Sequence, residues 1–168
     1  EANFILMNVL LNAGDHVVCM APMYQSLYQV AKDIGCNISY WQPKIEQGRW
    51  YFNPSDLKSL IQDNTKLIIV NFPHNPTGFS PSVEEFKYII ELAQQRGIAI
   101  FSDEMYRLLG FEPAEVTPSL DHFLKLLVKE SRARFLRKGE LVQETWSWDE
   151  RRAGEILALI GPNGAGKS

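Results

Sequence analysis

Apolar positions along the chain fall into short runs that alternate between two spacings. Residues 2–12 are apolar almost all round, through Phe4, Ile5, Leu6, Met7, Val9, Leu10 and Leu11, and end at Asn12-Ala13-Gly14, which predicts a buried helix with a glycine stop. His16 to Met20 reads as a strand broken by Ala21-Pro22, and Tyr24 to Ile34 as a helix closed by Gly35. Asn37 to Trp41 predicts another strand, Gln42 to Gly48 a loop, and Asn53-Pro54 the start of a short helix through Leu57, Leu60 and Ile61.

Two further apolar runs, Leu67 to Val70 and Ile98 to Phe101, bracket a segment with helical spacing at Val83, Phe86, Ile89, Ile90 and Ala93. Ser80 is its predicted cap, Pro81 its first residue and Gly97 its stop. The alternation predicts an α/β fold: an incomplete open, mostly parallel sheet with helices on both faces. Ligands of such sheets bind where the strand carboxyl ends open into loops, which places Tyr24, Asn75 and Asp103 at one edge.

Beyond Gly110 the pattern dissolves. Leu120 to Lys129 is amphipathic, and Ser131 to Glu150 is charged without a period, so three parts are expected: 1–118, a junction at 119–150 of uncertain structure, and 151–168. The chain begins at Glu1 and stops at Ser168, which suggests a piece of a larger protein or two pieces joined.

With 168 residues, 45% of them hydrophobic, the chain can build a core of about one domain, and disorder is not expected. A net charge of −3 with mixed signs argues against a general nucleic-acid surface, although Arg132, Arg134, Arg137, Lys138, Arg151 and Arg152 make the later part locally basic. Cys19 and Cys36 lack the number and spacing of a disulfide framework or zinc site, which fits a reducing, cytoplasmic setting. No apolar run reaches the length of a membrane span, and Phe4 to Leu11 lacks the basic flank of a signal peptide.

An aromatic face at Tyr24, an amide at Asn75, a carboxylate at Asp103 and a phenol at Tyr106 suit a flat, charged heteroaromatic ligand. A ring can stack on the aromatic, the acid can keep a ring nitrogen protonated, and amide and phenol can bind a ring oxygen. Taken singly, Tyr24 reads more readily as a packing aromatic, and Asp103 equally as a helix cap or turn residue. His74 reads as a packing or solvent-facing side chain rather than a catalytic base, and His16 and His122 have no evident metal partners.

The stretches Ala21-Pro22-Met23-Tyr24, Asn71-Phe72-Pro73-His74-Asn75-Pro76-Thr77-Gly78 and Ser102-Asp103-Glu104-Met105-Tyr106 resemble the class I/II aminotransferases, the fold type I pyridoxal phosphate enzymes. Glu1-Ala2-Asn3 through Asn12-Ala13-Gly14-Asp15 resembles their first large-domain helix, and the likeness covers residues 1–118. It implies that Asp103 pairs with the pyridinium nitrogen, that Asn75 and Tyr106 bind the ring hydroxyl oxygen, and that Tyr24 lies on the ring face. It further implies a homodimer moving an amino group from an amino acid to a 2-oxo acid.

The chain also departs from that family. The lysine that anchors the cofactor follows the Asp by roughly thirty to forty residues in a Ser-rich strand end. Lys138 has about that spacing but neither the serines nor the apolar approach, so no catalytic residue is assigned. The family's phosphate loop, small domain and carboxylate-gripping arginine have no counterpart, so the chain alone is expected to perform no transamination.

Residues 155–160 predict a strand leading into Gly161-Pro162-Asn163-Gly164-Ala165-Gly166-Lys167-Ser168, which satisfies the phosphate-loop pattern. This wording resembles the ATP-binding subunit of ABC transporters. The resemblance implies ATP with magnesium, held by Gly161, Asn163, Gly164, Gly166, Lys167 and Ser168, with Ser168 helping to bind the metal. Ile98 to Glu104 looks something like the magnesium-binding strand of such ATPases, but its internal serine and its place before the loop speak against that role. The alternatives to an aminotransferase are therefore a transport ATPase subunit and a non-catalytic remnant.

Overall fold

A computed structural model describes residues 2–107, 109 and 118–120, together with strands at 134–136 and 157–160. Six strands form one sheet: β1 (His16–Met20), β2 (Asn37–Trp41), β5 (Thr65–Asn71), β6 (Ala99–Asp103), β7 (Arg134–Leu136) and β8 (Leu157–Ile160). Their spatial order is β2-β1-β5-β6-β8-β7, and every pairing is parallel. A separate antiparallel hairpin joins β3 (Lys44–Glu46) to β4 (Arg49–Tyr51).

The strand sequences explain why both faces of this sheet are covered. Side chains alternate across a strand, and along β5 Leu67 and Ile69 enter one core while Ile68 and Val70 enter the other. The first core is closed by Leu6, Met7 and Leu10 of α1 (Ala2–Leu10) and Ala31 of α2 (Gln29–Ile34). The second is closed by Leu57 of α3 (Pro54–Leu60) and by Phe86, Ile89, Ile90 and Ala93 of α4 (Val83–Arg96). A strand buried on both sides must be apolar at successive positions, as β1 and β5 are.

Four local expectations change. Helix α1 is not buried all round: Leu6, Met7 and Leu10 face the core, whereas Phe4, Ile5 and Val9 are exposed, because α2 and the sheet cover one side of it only. The segment 24–34 splits into a 3-10 turn at Gln25–Leu27 and α2, with Tyr28 out of helical geometry between them. The expected loop at 42–48 contains β3, and Gln47 and Gly48 both take positive φ, the backbone that a two-residue hairpin turn requires. These strands are three residues each, too short to show a period.

The cap of α4 is Ser82 rather than Ser80. Its hydroxyl accepts from the Glu85 amide at 3.2 Å while Glu85 Oε2 accepts from the Ser82 amide at 2.7 Å, a reciprocal box that Ser80 cannot form because Val83 stands three residues on. Gly97 ends the helix in left-handed geometry, as its sequence position predicts. Glu85 Oε1 also accepts from the Tyr51 hydroxyl at 2.8 Å, tying β4 to α4. Glu85→Ala removes the reciprocal box and this tie together, and should lower stability by about 2 kcal/mol in urea unfolding, against about 1 kcal/mol for Tyr51→Phe.

The topology fixes where a ligand can enter. From β1 the chain steps outward to β2, then returns to place β5 on the other side of β1. The loops leaving β1 and β5 therefore diverge, and the crevice between them lies at the carboxyl edge.

Candidate active site

Three neighbouring strands deliver the four predicted side chains. Tyr24 follows the end of β1 and opens the 3-10 turn, and the residue is 68% exposed, so it is not the packing aromatic that its position alone suggested. Asn75 lies exposed in the loop after β5, Asp103 ends β6 half-buried, and Tyr106 follows it in a turn. Asn75 Nδ2 donates to the Tyr106 hydroxyl at 3.4 Å, which joins the loops after β5 and β6.

Beneath this pair, Asn71 stands opposite Asp103 in the strand register and is 2% exposed. Its Nδ2 donates to the Asp103 carbonyl at 3.0 Å, and its Oδ1 accepts from the Asn75 amide at 2.8 Å. The Phe72 amide donates to the same carbonyl at 3.1 Å. Asn71 thus holds both Asp103 and Asn75 by their backbones and frees their side chains for other work. It was not among the expected site residues; the signal was a single polar position closing a buried apolar run.

The Asp103 carboxyl accepts from the Met105 amide at 3.2 Å, which is the turn role that sequence alone left open. Burial raises its pKa above the usual carboxylate value, and the Met105 bond opposes that shift. An ionised carboxylate offers about four lone-pair sites, so capacity remains for a cationic donor, which would favour the charged form.

His74, 2% exposed, is the packing residue of the two expected alternatives and is not solvent-facing. Its Nε2 sits 2.8 Å from the Pro22 carbonyl and its Nδ1 2.7 Å from Thr77 Oγ1. A carbonyl only accepts, so Nε2 carries the proton and Nδ1 accepts from the threonine hydroxyl. The ring also meets Phe52 edge-on, centroids 4.6 Å apart. His16 is likewise satisfied, between Thr65 and Ser39.

Burial lowers the His74 pKa from 6.5 to about 4. Between those values the unfolded chain binds a proton that the folded chain refuses, so this contribution to stability is whole above pH 6.5 and is lost as pH falls toward 4. At about 1.4 kcal/mol per pH unit, discounted for residual solvent, the loss is about 2 kcal/mol. His16, also lowered, acts in the same direction. Urea midpoints at about pH 7 and about pH 4.5 should therefore converge more in His74→Phe than in the unaltered chain.

Glu104 turns inward. Its Oε1 accepts from Ser102 Oγ at 3.2 Å and from the Leu120 amide at 2.7 Å, and Oε2 lies 3.4 Å from Arg107 Nε. It anchors residues 118–120 to the end of β6. Lys138 and the phosphate-loop residues Gly161, Asn163, Gly164, Gly166, Lys167 and Ser168 lie outside the described residues. Strand β8, predicted immediately before that loop, is present at Leu157–Ile160.

The family model for aminotransferase class I and II matches residues 1–135. The chain belongs to that family. The aspartate aminotransferase of Geobacillus stearothermophilus is 34% identical over 126 residues, covering 71% of this chain and 32% of that protein. The glutamate-pyruvate aminotransferase AlaA of Escherichia coli K12 is 30% identical over 143 residues, covering 81% and 35%.

Among solved structures, a PLP-dependent aminotransferase from Streptococcus suis superposes with TM-score 0.64 at 35% identity, covering 71% of this chain and 31% of that one. N-Succinyldiaminopimelate aminotransferase from Mycobacterium tuberculosis gives 0.65 at 26% identity, covering 70% and 30%. The chain thus spans roughly a third of the length of these aminotransferases. The family implies pyridoxal phosphate as cofactor. Among the described residues no helix is long and apolar enough to cross a membrane.

Proposed function

We propose that this chain carries the ring-holding part of a pyridoxal phosphate-dependent aminotransferase, which moves an amino group from an amino acid to a 2-oxo acid. The observation that carries the proposal is the half-buried Asp103 at the end of β6, the strand that runs into the turn of Tyr106, whose hydroxyl accepts from Asn75 Nδ2. The donor set fits the cofactor ring. Asp103 supplies a desolvated anion for a ring nitrogen, and Asn75 and Tyr106 supply an amide and a phenol for a ring oxygen. Tyr24 supplies an exposed aromatic face for the ring to lie against.

When bound, the cofactor supplies an electron sink for the bond-breaking at the amino acid. The protein's part is to hold the ring in one plane and to keep its nitrogen protonated, and a carboxylate that is costly to leave unpaired serves the second purpose. Titration with pyridoxamine 5′-phosphate, whose amine forms no imine with stray lysines, tests the reading. Saturable binding is expected, and its absence would remove the proposal. Borohydride reduction of the chain mixed with pyridoxal phosphate should label no single lysine, and a specific adduct at Lys138 would assign the anchoring role left empty above.

The wider organisation belongs to the same proposal: a partial large domain at 1–118, a junction at 119–150 that the family match enters, and a phosphate-loop segment at 151–168. The exposed Phe4, Ile5 and Val9 of α1 suit the homodimer that the resemblance implies. The free, buried Cys19 and Cys36 suit a cytoplasmic setting. ATP with magnesium is supported by the wording of residues 161–168 alone.

A further inference from the structure

His74 is among the buried polar groups to which the proposed function gives no role. His74 precedes Asn75 directly, yet its ring faces away from the site edge and into the protein, where both nitrogens are used. The acceptor of its Nε2 proton, Pro22, lies two residues before Tyr24 and 52 residues away in sequence. The bond therefore runs from the loop that carries the amide to the loop that carries the aromatic face, across the crevice where the strand order reverses between β1 and β5.

Everything around the ring resists displacement. The His74 amide donates to the Phe79 carbonyl at 2.8 Å, and the Gly78 amide donates to the His74 carbonyl at 2.7 Å, so the backbone on either side is closed into a loop. Thr77 Oγ1 gives its proton to Nδ1 and accepts from the Phe79 amide at 3.3 Å, which leaves the hydroxyl one orientation. Phe52 fills the space against the ring. Tyr24, by contrast, has an exposed ring and caps its 3-10 turn without any side-chain bond.

We propose that His74 is a positioning residue: its Nε2–H bond to the Pro22 carbonyl sets the spacing between the Tyr24 face and the Asn75 amide, and so sets the affinity for the cofactor ring. The inference rests on the cofactor reading given above. A strap of this kind acts on binding through geometry, because His74 itself touches neither ring nor substrate. Glutamine has a terminal N–H and a carbonyl oxygen, so it can renew the bond to Pro22. Phenylalanine keeps the ring's packing and loses the bond.

The test is a titration of the full 168-residue chain with pyridoxamine 5′-phosphate, set beside amide exchange of residues 22–28 without ligand. His74→Phe should bind roughly tenfold more weakly, the size of one net hydrogen bond, and should exchange faster at residues 22–28 while β1 is unchanged. His74→Gln should recover to within about threefold. Equal affinity for His74→Phe and the unaltered chain would overturn the proposal, as would a glutamine variant as weak as the phenylalanine one, since packing rather than the strap would then matter.

Asp103→Ala separates this failure from failure of the cofactor reading. If it binds as the unaltered chain does, or if the unaltered chain does not bind, the cofactor reading falls and the proposal with it. If it abolishes binding while His74→Phe does not weaken it, only the proposal falls. Should His74→Phe not fold, Thr77→Val, which removes the hydroxyl that fixes the ring's orientation, should itself weaken binding about threefold, and no change there overturns the proposal.

Discussion

Asp103→Asn is expected to weaken binding of pyridoxamine 5′-phosphate by about a hundredfold, although it preserves the shape of the side chain. The difference is charge: a bond between a carboxylate and a protonated ring nitrogen is about twice as strong as a neutral one, and here it forms in a half-buried place with little water to screen it. A loss of about 2.7 kcal/mol corresponds to that hundredfold. Asp103→Ala should lose somewhat more, because it also removes the oxygen that accepts from the Met105 amide and so loosens the turn that presents Tyr106.

The pH dependence follows from the same burial. The free carboxyl is held above its ordinary pKa, so it takes up a proton at a pH where exposed aspartates are still ionised. Binding a cationic ring favours the ionised form and releases that proton, so affinity should fall as pH drops through the free carboxyl's value. In Asp103→Asn this fall should disappear. Titration calorimetry in two buffers of different ionisation enthalpy reads the released proton directly. An asparagine variant that binds as tightly as the unaltered chain, with the same pH profile, would mean that Asp103 is a turn residue and no more.

Much of this was legible in the sequence because the sheet is buried on both faces. Runs such as Leu67 to Val70 have one explanation only, and their ends are marked by residues that cannot continue them, Pro22 after β1 and Pro73 after β5. Asn75, Asp103 and Tyr106 could be placed at one edge from that order alone, since parallel strands expose all their carboxyl ends together.

What was not legible depended on contacts distant in sequence or on competition between neighbours. Phe4, Ile5 and Val9 are as apolar as Leu6 and Met7, and only the packing of α2 decides which of them is covered. Ser80 reads as the cap of α4, and only the reciprocal bonds with Glu85 put it at Ser82 instead. The 24–34 pattern reads as one helix, but Tyr28 leaves helical geometry and divides it into a 3-10 turn and α2. His74 gave no sign of its direction, because its partner Pro22 belongs to another strand's loop.

Asn71→Leu should cost about 3 kcal/mol of stability, and its pH-sensitive counterpart Asn71→Asp more, for reasons that separate cleanly. Leucine has a similar volume and suits the surrounding core, so packing is nearly conserved. The Asp103 carbonyl loses one donor yet keeps the Phe72 amide, whereas the Asn75 amide loses the acceptor shown for it. One orphaned donor and one weakened acceptor give the estimate. Asn71→Asp instead restores the acceptor for Asn75 but turns an oxygen toward the Asp103 carbonyl and buries a negative charge near the Asp103 carboxyl. At neutral pH that should cost about 4 kcal/mol. The new carboxyl would have a raised pKa in the folded state, so the penalty grows as pH rises through the ordinary carboxylate value and fades in acid, where a protonated oxygen can donate to the Asp103 carbonyl again. Urea unfolding of both variants and the unaltered chain at about pH 4.5 and about pH 7.5 reads the difference: the cost of leucine stays flat, and that of aspartate shrinks toward acid. If Asn71→Asp proves as stable as the unaltered chain at neutral pH, the Asn71 amide does not face Asp103, and the link that brings Asp103 and Asn75 into one site is not there.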